Sequence, residues 1–135
     1  MTTGYSGTPL ARKLGLKPGM RVWFDAMPET VRSEIAGEVE ALETVSDPEQ
    51  GFAAAQLFTT ERAVLERELI RLMAVMDRDG FIWVSWPKKA AKMDTDITED
   101  VIRSVALPMG LVDVKVCAVD AIWSGLKLVI RKELR

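Results

Sequence analysis

The sequence predicts a three-layer α/β/α sandwich, in which helices cover both faces of a mostly parallel, Rossmann-like sheet. Apolar strand patterns alternate with helix patterns from Met20 to about Val119, which is typical of a parallel sheet covered by helices. Two strand patterns in succession close the chain, and such a hairpin makes the last strand antiparallel to its partner. The chain has 135 residues, which suits one domain and is too short for two stable ones. Residues 1–135 are therefore predicted to form a single α/β domain.

Composition excludes several classes of function. The chain contains no histidine and a single cysteine, Cys117, which removes Ser-His and Cys-His nucleophile pairs, the usual zinc ligands and intrachain disulfides. Its net charge is −2 with scattered basic residues, which does not predict a nucleic-acid surface. The chain lacks both a secretory-type amino terminus and an apolar run near the ~20 residues that cross a bilayer. We expect a cytoplasmic protein that binds neither nucleic acid nor membrane.

The first quarter of the chain predicts two helices around one strand. Residues 1–19 are expected to form a short helix, with Thr8 as its N-cap, and a turn that pack on the sheet. The first strand pattern is Met20–Phe24. Pro28 suits the start of the next helix and Gly37 its end.

The centre of the chain carries the most apolar strand pattern. Val39–Val45 predicts a weak edge strand. Phe52–Phe58 is a continuous apolar run apart from Gln56, and such a run favours a strand that is covered on both faces. The amphipathic helix that follows is expected to be capped by Thr59 or Thr60.

The next strand, Phe81–Trp86, is apolar except for Ser85. Asp77–Gly80 predicts the turn before it, and Pro87 is expected to end its hydrogen bonding. Asp96–Glu99 has the spacing of a capping box, which predicts that the following helix starts there.

The carboxyl-terminal hairpin is predicted from two strand patterns, Val112–Val119 and Leu126–Arg131. Trp123–Gly125 between them is expected to form the bend, with a gate over the strand ends as its functional alternative. Asp113 and Lys115 place charge on one face of the first of these strands, which suits a sheet edge. Cys117 is expected to be a small buried residue under a helix.

Residues 110–115 (GLVDVK), followed by residues 126–132 (LKLVIRK), resemble the carboxyl-terminal signature of class I S-adenosylmethionine-dependent methyltransferases. The resemblance implies that the last strand inserts beside Phe81–Trp86, which gives the strand order 2-1-3-4-6-5. The family's cofactor motifs do not carry over. Phe24–Glu29 stands where a glycine-rich loop is expected and contains no glycine, and only Glu43 could serve as the acidic residue for ribose. No cofactor is therefore predicted.

Five ordered blocks are similar to a family of small bacterial proteins catalogued as a domain of unknown function. The resemblance spans nearly the whole chain but implies no activity, and residues 27–68 match it only in pattern. The blocks are YSGTPL from Tyr5, KPGMRV from Lys17, WVSWPKK from Trp83, TDITEDV from Thr95, and GLVDVKVCAVD from Gly110 with WSGL from Trp123.

In open parallel sheets, ligands bind outside the carboxyl ends of the strands. Polar and aromatic residues that follow the predicted strands are therefore candidate ligand contacts, and a lysine pair beside a helix start suits a phosphate or carboxylate. These candidates are Asp25, Thr59, Trp86, Lys88, Lys89, Asp120, Trp123 and Ser124. The alternative is structural: the tryptophan packs on a helix and the lysines are solvated. Asp94, Asp96, Glu99 and Asp100 match no known metal-binding loop, so no metal site is predicted.

Three functions remain open at this point. The first is a non-catalytic or degenerate Rossmann-like domain that binds a small ligand or a protein partner at the strand ends. The second is an enzyme, such as a group-transfer enzyme, in which Lys88 or Asp25 acts as acid or base and Trp86 stacks on the substrate. The third is a structural or interaction module, for example a homodimer formed through an edge strand or a helix face.

Overall fold

A computed structural model describes residues 9–135 and contains one six-stranded sheet with the strand order β2-β1-β3-β4-β6-β5. Neighbouring strands from β2 to β4 pair in parallel, and β6 is antiparallel to both β4 and β5. The predicted mostly parallel sheet, its order and its antiparallel last strand are confirmed. The strands are β1 Arg21–Asp25, β2 Glu43–Thr44, β3 Phe52–Phe58, β4 Met76–Pro87, β5 Leu111–Ala118 and β6 Trp123–Ile130.

Helices cover both faces of the sheet, as the three-layer prediction requires. The helices are α1 Leu10–Lys13, α2 Glu29–Glu34, α3 Ala36–Val39, α4 Arg62–Val75 and α5 Glu99–Met109. Three short 3₁₀ turns lie at Pro48–Gln50, Lys89–Ala91 and Lys132–Leu134. Within residues 9–135, no helix has the length and apolar composition that crossing a membrane requires.

The α4/α5 face of the sheet holds the larger apolar cluster. Leu65, Leu69 and Leu72 of α4 are fully buried there, together with Ile102 of α5. Their spacing of three or four residues places them on one side of each helix. We call this side of the sheet the α4/α5 face.

The opposite side, the α1/α2 face, is covered by Leu10, Leu14 and Val31. Trp83 lies at its centre with no exposed surface, and its indole Nε1 donates a hydrogen bond to the Leu14 carbonyl oxygen at 2.9 Å. This bond satisfies the polar atom of the largest fully buried side chain. The predicted N-cap Thr8 lies outside the described residues.

Two predictions about the second helix and strand are wrong. Gly37 does not end the helix; α2 ends at Glu34 and Gly37 lies inside α3. Val39–Val45 is not a strand over its whole length, because Val39 is helical and only Glu43–Thr44 pairs with β1. Val39 packs from a helix, partly buried, and Val45 is buried after the short strand; a propensity argument cannot distinguish such contacts from a strand.

The predicted cap of α4 is wrong, and α5 starts within the predicted residues 96–99 but is capped by Thr98 rather than by Asp96. Glu61 is the N-cap of α4 and makes no side-chain cap; instead the Asp96 carboxylate accepts the Arg62 backbone N–H at 2.7 Å. The cap of α5 is the Thr98 hydroxyl, which accepts from the Val101 N–H at 3.2 Å. A carboxylate from a distant loop thus replaces the local cap that the sequence suggested.

Residues 77–80 form a long bulge inside β4, opposite the single residue Ala53 of β3, in place of the predicted turn. Phe52 of β3 lies opposite Met76, whereas Ala54 lies opposite Phe81, so the intervening residues of β4 loop outward. A Cβ atom on Gly80 would approach the Ala53 carbonyl oxygen to 2.5 Å. Only glycine therefore fits this position without a shift of the backbone.

Substitution Gly80→Ala is expected to lower the free energy of unfolding by about 2 kcal/mol, because the new methyl group overlaps a backbone atom that cannot move independently. Chemical denaturation of both proteins measures the difference. Gly37→Ala is the matched control, since nothing lies within 4 Å of a Cβ at Gly37 and alanine favours helix. Equal stability of the Gly80→Ala and wild-type proteins would contradict the close approach.

The predicted bend at Trp123–Gly125 is wrong, because all three residues belong to β6. The connection between β5 and β6 is formed by residues 119–122. Gly125 is required for a different reason: a Cβ there would come within 3.1 Å of the Trp83 ring and of Val119. Gly125 thus makes room for the buried indole.

Candidate functional site

The carboxyl ends of β1, β3, β4 and β5 meet with the start of antiparallel β6 at one edge of the sheet. We call this edge the rim. The eight candidate residues from the sequence lie on it or in the loops directly after it. Side-chain alternation divides them between two faces. Asp25, Trp86 and Ser124 point to the α4/α5 face, and Trp123 points to the α1/α2 face.

Several of these side chains are engaged within the protein. The Thr59 hydroxyl accepts from the Glu61 N–H at 3.1 Å. The Trp86 ring is 9% exposed and belongs to the core. Trp123, also 9% exposed, packs its ring edge-to-face on Phe58 at 5.4 Å between centroids. These residues shape the rim more than they offer free groups to a ligand.

Asp120 links the hairpin to α2. Its Oδ1 accepts the N–H groups of Ile122 and Trp123, each at 2.8 Å, and holds the connection between β5 and β6. Its Oδ2 accepts the Thr30 hydroxyl at 3.1 Å. The Thr30–Asp120 hydrogen bond therefore joins the start of α2 to the hairpin on the α1/α2 side of the rim.

The predicted lysine pair separates in the structure. The Lys88 backbone N–H donates to the Ile122 carbonyl at 2.7 Å and joins the loop after β4 to the hairpin, and its side chain is half-buried. Lys89 starts a 3₁₀ turn and is exposed. The two lysines thus lie in different surroundings.

The turn after β1 keeps a geometry that usually favours glycine. Ala26 has a backbone φ of +57°, in the left-handed region where side chains other than glycine are strained. Met27 follows and packs against the α1/α2 core. Glu43 does not lie at the rim, because it pairs with Arg21 at 3.2 Å at the start of β2. Neither position provides what a nucleoside needs in a dinucleotide-type site.

Asp25 occupies the most perturbed electrostatic position of the rim. Burial, followed by the nearby charge of Glu68, raises the pKa of Asp25 above its ordinary value of 3.8, against the opposing effect of Arg71. Glu68 is itself buried and is paired with Arg71 at 3.1 Å. The Trp23 indole Nε1, on the same face, is buried and has no partner among residues 9–135. A half-buried carboxyl group with a raised pKa can exchange a proton with a ligand.

The shifted acids predict opposite pH effects on stability. Because the pKa of Asp25 is raised, its ionisation destabilises the folded state as the pH rises above 3.8. The pKa of Asp113 is lowered, mainly by the hydrogen bond from Arg103, so the stability it contributes is lost as the pH falls below 3.8. We expect Asp25→Asn to raise the melting temperature at pH 7 and Asp113→Asn to lower it. Both differences should shrink toward pH 3, and the same sign for both variants would contradict these environments.

Gln56 and Ser85 form the buried polar pair of the α1/α2 face. Gln56 lies opposite Phe24 and Trp83, and Ser85 lies one step nearer the rim on β4, opposite Gly125. Gln56 is 1% exposed and Ser85 is fully buried. Both amide atoms of Gln56 and the Ser85 hydroxyl have no hydrogen-bond partner within residues 9–135. Each unpaired group costs about 1–3 kcal/mol, and buried polar groups of this kind are usually satisfied by ordered water or by a ligand.

A shallow depression of about 380 Å³ lies beside the start of α4 and is lined by Thr60, Glu61, Ala63, Asp94, Thr95 and Asp96. Thr95 donates its hydroxyl to the Thr60 carbonyl at 2.7 Å, which fixes the two loops together. The described residues contain no group of three or more acids and thiols that could hold a metal ion. Asp96 instead caps α4, and Glu99 and Asp100 pair with Arg103.

Sequence reasoning missed the buried polar pair and the neighbours of Asp25. Gln56 and Ser85 were visible as the only polar residues in two apolar strand patterns, and that signal could have marked them. The surroundings of Asp25 had no such signal, because Glu68 and Arg71 come from a helix far along the chain.

The sequence matches no model of a known protein family, and no curated protein sequence is significantly similar to it. The fold has clear structural relatives. A Sulfolobus solfataricus protein described as a type 11 methyltransferase superposes with a TM-score of 0.58 at 12% identity, over 91% of this chain and 90% of the other. The ribosomal protein L11 methylase of Lactobacillus delbrueckii subsp. bulgaricus gives 0.55 at 11% identity, over 90% and 75%.

Aeropyrum pernix fibrillarin, solved with natively bound S-adenosyl-L-methionine, gives a TM-score of 0.53 at 11% identity, over 89% of this chain and 73% of that one. Identities this low establish the fold and leave the activity open. The chain is thus a Rossmann-like α/β protein with the fold of class I S-adenosylmethionine-dependent methyltransferases.

Proposed function

We propose that this protein is a non-catalytic binding domain that takes a small, uncharged polar ligand on the α1/α2 face, just inside the rim. The observation that carries the proposal is the buried polar pair, Gln56 and Ser85, whose three polar side-chain atoms have no partner within residues 9–135. Proteins rarely keep such groups in a core unless water or a ligand satisfies them.

The chemistry of the pair defines the ligand class. A glutamine amide both donates and accepts, and a serine hydroxyl does the same. No charged residue that the structure describes is fully buried on this face, and the partly buried Lys127 already places its ammonium over the Phe81 ring. A charged group would lose its hydration without compensation there, so an amide, a heterocyclic ring or a hydroxyl fits best.

Because Gln56 and Ser85 are buried, a ligand reaches them only if neighbouring elements part, and we infer that α2 and the hairpin do so. The Thr30–Asp120 hydrogen bond joins these two elements, and both residues are accessible to solvent. The rings of Phe58 and Trp123 pack edge-to-face on the same side of the sheet. Flat apolar walls with a few polar groups are usual in small-molecule sites.

The same surroundings disfavour a nucleoside cofactor bound in the usual way. That mode needs a glycine-rich turn after the first strand, so that the nucleoside can approach the backbone. Ala26 and Met27 put side chains at this turn, and Met27 is packed into the core. We therefore propose that this chain uses the methyltransferase fold for binding without the cofactor.

Two measurements on one sample test the proposal. Protein purified from its native cells is denatured, and the released small molecules are identified by mass spectrometry. We expect a near-stoichiometric neutral compound from the wild type and none from Ser85→Ala. In parallel, S-adenosylmethionine is titrated while the melting temperature is followed, and we expect no saturable shift. A saturable shift with S-adenosylmethionine, or an empty wild-type protein, would contradict the proposal.

The second candidate function is an enzyme that uses Asp25, and the raised pKa of this acid favours it. A carboxyl group that keeps its proton longer than usual suits general acid catalysis. If a released compound is found, incubating it with wild type and Asp25→Asn decides between the functions. Turnover by the wild type alone supports the enzyme; unchanged compound supports the binding domain.

A further inference from the structure

Strand β5 forms one edge of the sheet, and β6 is its one hydrogen-bonded neighbour among the strands that the structure describes. It spans eight residues, Leu111–Ala118. Val114 and Val116 expose 54% and 52% of their surface on it. A long strand edge with exposed apolar side chains is a template for the addition of another strand.

A bulge confines the regular part of this edge to Lys115–Ala118. Asp113 lies opposite Leu128, and Lys115 lies opposite the adjacent Lys127. The two charged residues therefore lie on opposite faces, which corrects the expectation that they share one. Beyond the bulge, Val116 and Ala118 point to the α4/α5 face, and Lys115 points to the α1/α2 face.

Lys17, Lys115 and Lys127 form a lysine cluster on the α1/α2 side of this edge. Lys115 stands directly across from Lys127, an arrangement that destabilises a sheet when both residues carry the same charge. Burial, followed by the charges of Lys115 and Lys17, lowers the pKa of Lys127. None of the three pairs with a carboxylate among residues 9–135. An external anion would relieve this repulsion.

We propose that the outer edge of β5 at Lys115–Ala118 binds an extended acidic segment of a partner protein, which adds a seventh strand to the sheet. The added backbone bonds to the free edge. Alternate acidic side chains of the segment reach Lys115, while the Lys127 ammonium lies over the Phe81 ring at 4.3 Å and adds to the positive charge beside the edge. Its other side chains are apolar and cover Val116 and Ala118.

The lysine charges at the β5 edge disfavour a second copy of this chain as the partner that pairs there. Two copies paired edge to edge about this segment would place their Lys115 side chains on the same face, close to each other, and lysines on an edge oppose such pairing. A nucleic acid would use the lysines but leave the exposed valines uncovered. An acidic protein segment with alternating apolar residues satisfies both sides. The β5 edge is separate from the buried polar pair, so this inference does not rest on the proposed function.

The test measures binding of a fluorescent eight-residue peptide of alternating glutamate and valine by anisotropy. We expect saturable 1:1 binding with a Kd below about 1 mM, made by backbone pairing along the edge. Two control peptides are used. In the first, lysine replaces every glutamate; in the second, every backbone nitrogen is methylated. Neither peptide should bind. Equal binding by the N-methylated peptide would show attraction by charge alone and would overturn the added strand, as would no saturation at about 1 mM.

Charge reversal identifies the contact. The Lys115→Glu variant should bind the acidic peptide about tenfold or more weakly than the wild type does, and it should bind the lysine–valine peptide. Because the substitution removes the repulsion between Lys115 and Lys127, the melting temperature of the variant should not be lower than that of the wild type. An unchanged or higher melting temperature would show that the variant is folded. Lys132→Glu, on the carboxyl-terminal 3₁₀ turn, is the control and should leave affinity unchanged. Undiminished affinity of Lys115→Glu would overturn the proposed contact.

Two outcomes would assign the edge to another occupant and overturn the proposal. The first is a short single-stranded oligonucleotide that binds more tightly than the acidic peptide and displaces it. The second is a wild-type dimer in light scattering that Val116→Lys dissociates. We expect a monomer and no displacement.

Discussion

Replacement of Trp83 by alanine is expected to lower the free energy of unfolding by about 3–5 kcal/mol, because it empties the largest fully buried side-chain volume of the core. The change also removes the bond from the indole Nε1 to the Leu14 carbonyl, which joins the central strand to the segment after α1. Chemical denaturation followed by circular dichroism measures the loss. A decrease below about 1 kcal/mol would contradict the central position of Trp83.

Two tryptophan-to-phenylalanine variants separate packing from hydrogen bonding. Trp83→Phe leaves the Leu14 carbonyl without its donor and should cost about 1–3 kcal/mol. Trp23→Phe removes an indole N–H that has no partner among residues 9–135, so no hydrogen bond is lost and its cost should be clearly smaller. A larger loss of stability from Trp23→Phe than from Trp83→Phe would show that the two indole N–H groups are not bonded as described.

Replacement of Gln56 by leucine is expected to raise the free energy of unfolding of the ligand-free protein by about 1–3 kcal/mol and to abolish ligand binding. The physical reason for the first effect is that leucine has a similar volume but no polar atoms to leave unpaired in the core. The second follows because the ligand loses its donor and acceptor. Such an exchange of stability for function is common at binding sites. Denaturation of refolded protein and mass spectrometry of released compounds measure the two effects.

Gln50→Leu is the matched control for this prediction. The Gln50 side-chain oxygen accepts the backbone N–H groups of Ser46 and Asp47, so its loss should lower the free energy of unfolding by about 0.5–1.5 kcal/mol. The two glutamine-to-leucine substitutions are therefore expected to change the free energy of unfolding in opposite directions. A destabilising Gln56→Leu would mean that the Gln56 amide is well bonded in the protein.

The architecture was predictable because its signals are local and repeated. The apolar run Phe52–Phe58 predicted a central strand with the observed bounds, and the closing hairpin predicted the antiparallel β6. Boundaries failed where distant residues decide them. The cap of α4 comes from Asp96, and the charged residues 77–80 bulge within a strand although their composition resembles a turn.

The candidate site was predictable in place but not in detail. Strand order alone locates the rim, which is why Asp25 and Trp123 fall on it. Which side chains remain free depends on contacts between distant segments. Asp120 looked available, yet both of its oxygens bond within the protein. Gln56 and Ser85 gained their importance only when the structure placed them on one buried face of neighbouring strands.

The most direct test of the binding-domain account is a high-resolution crystal structure of protein purified from its native cells without dialysis. The account predicts electron density for a small organic molecule on the α1/α2 face, within hydrogen-bond distance of the Gln56 amide and the Ser85 hydroxyl. It also predicts that the turn at Ala26 and Met27 makes no contact with a nucleoside. Density for ordered water alone at Gln56 and Ser85 would contradict the account.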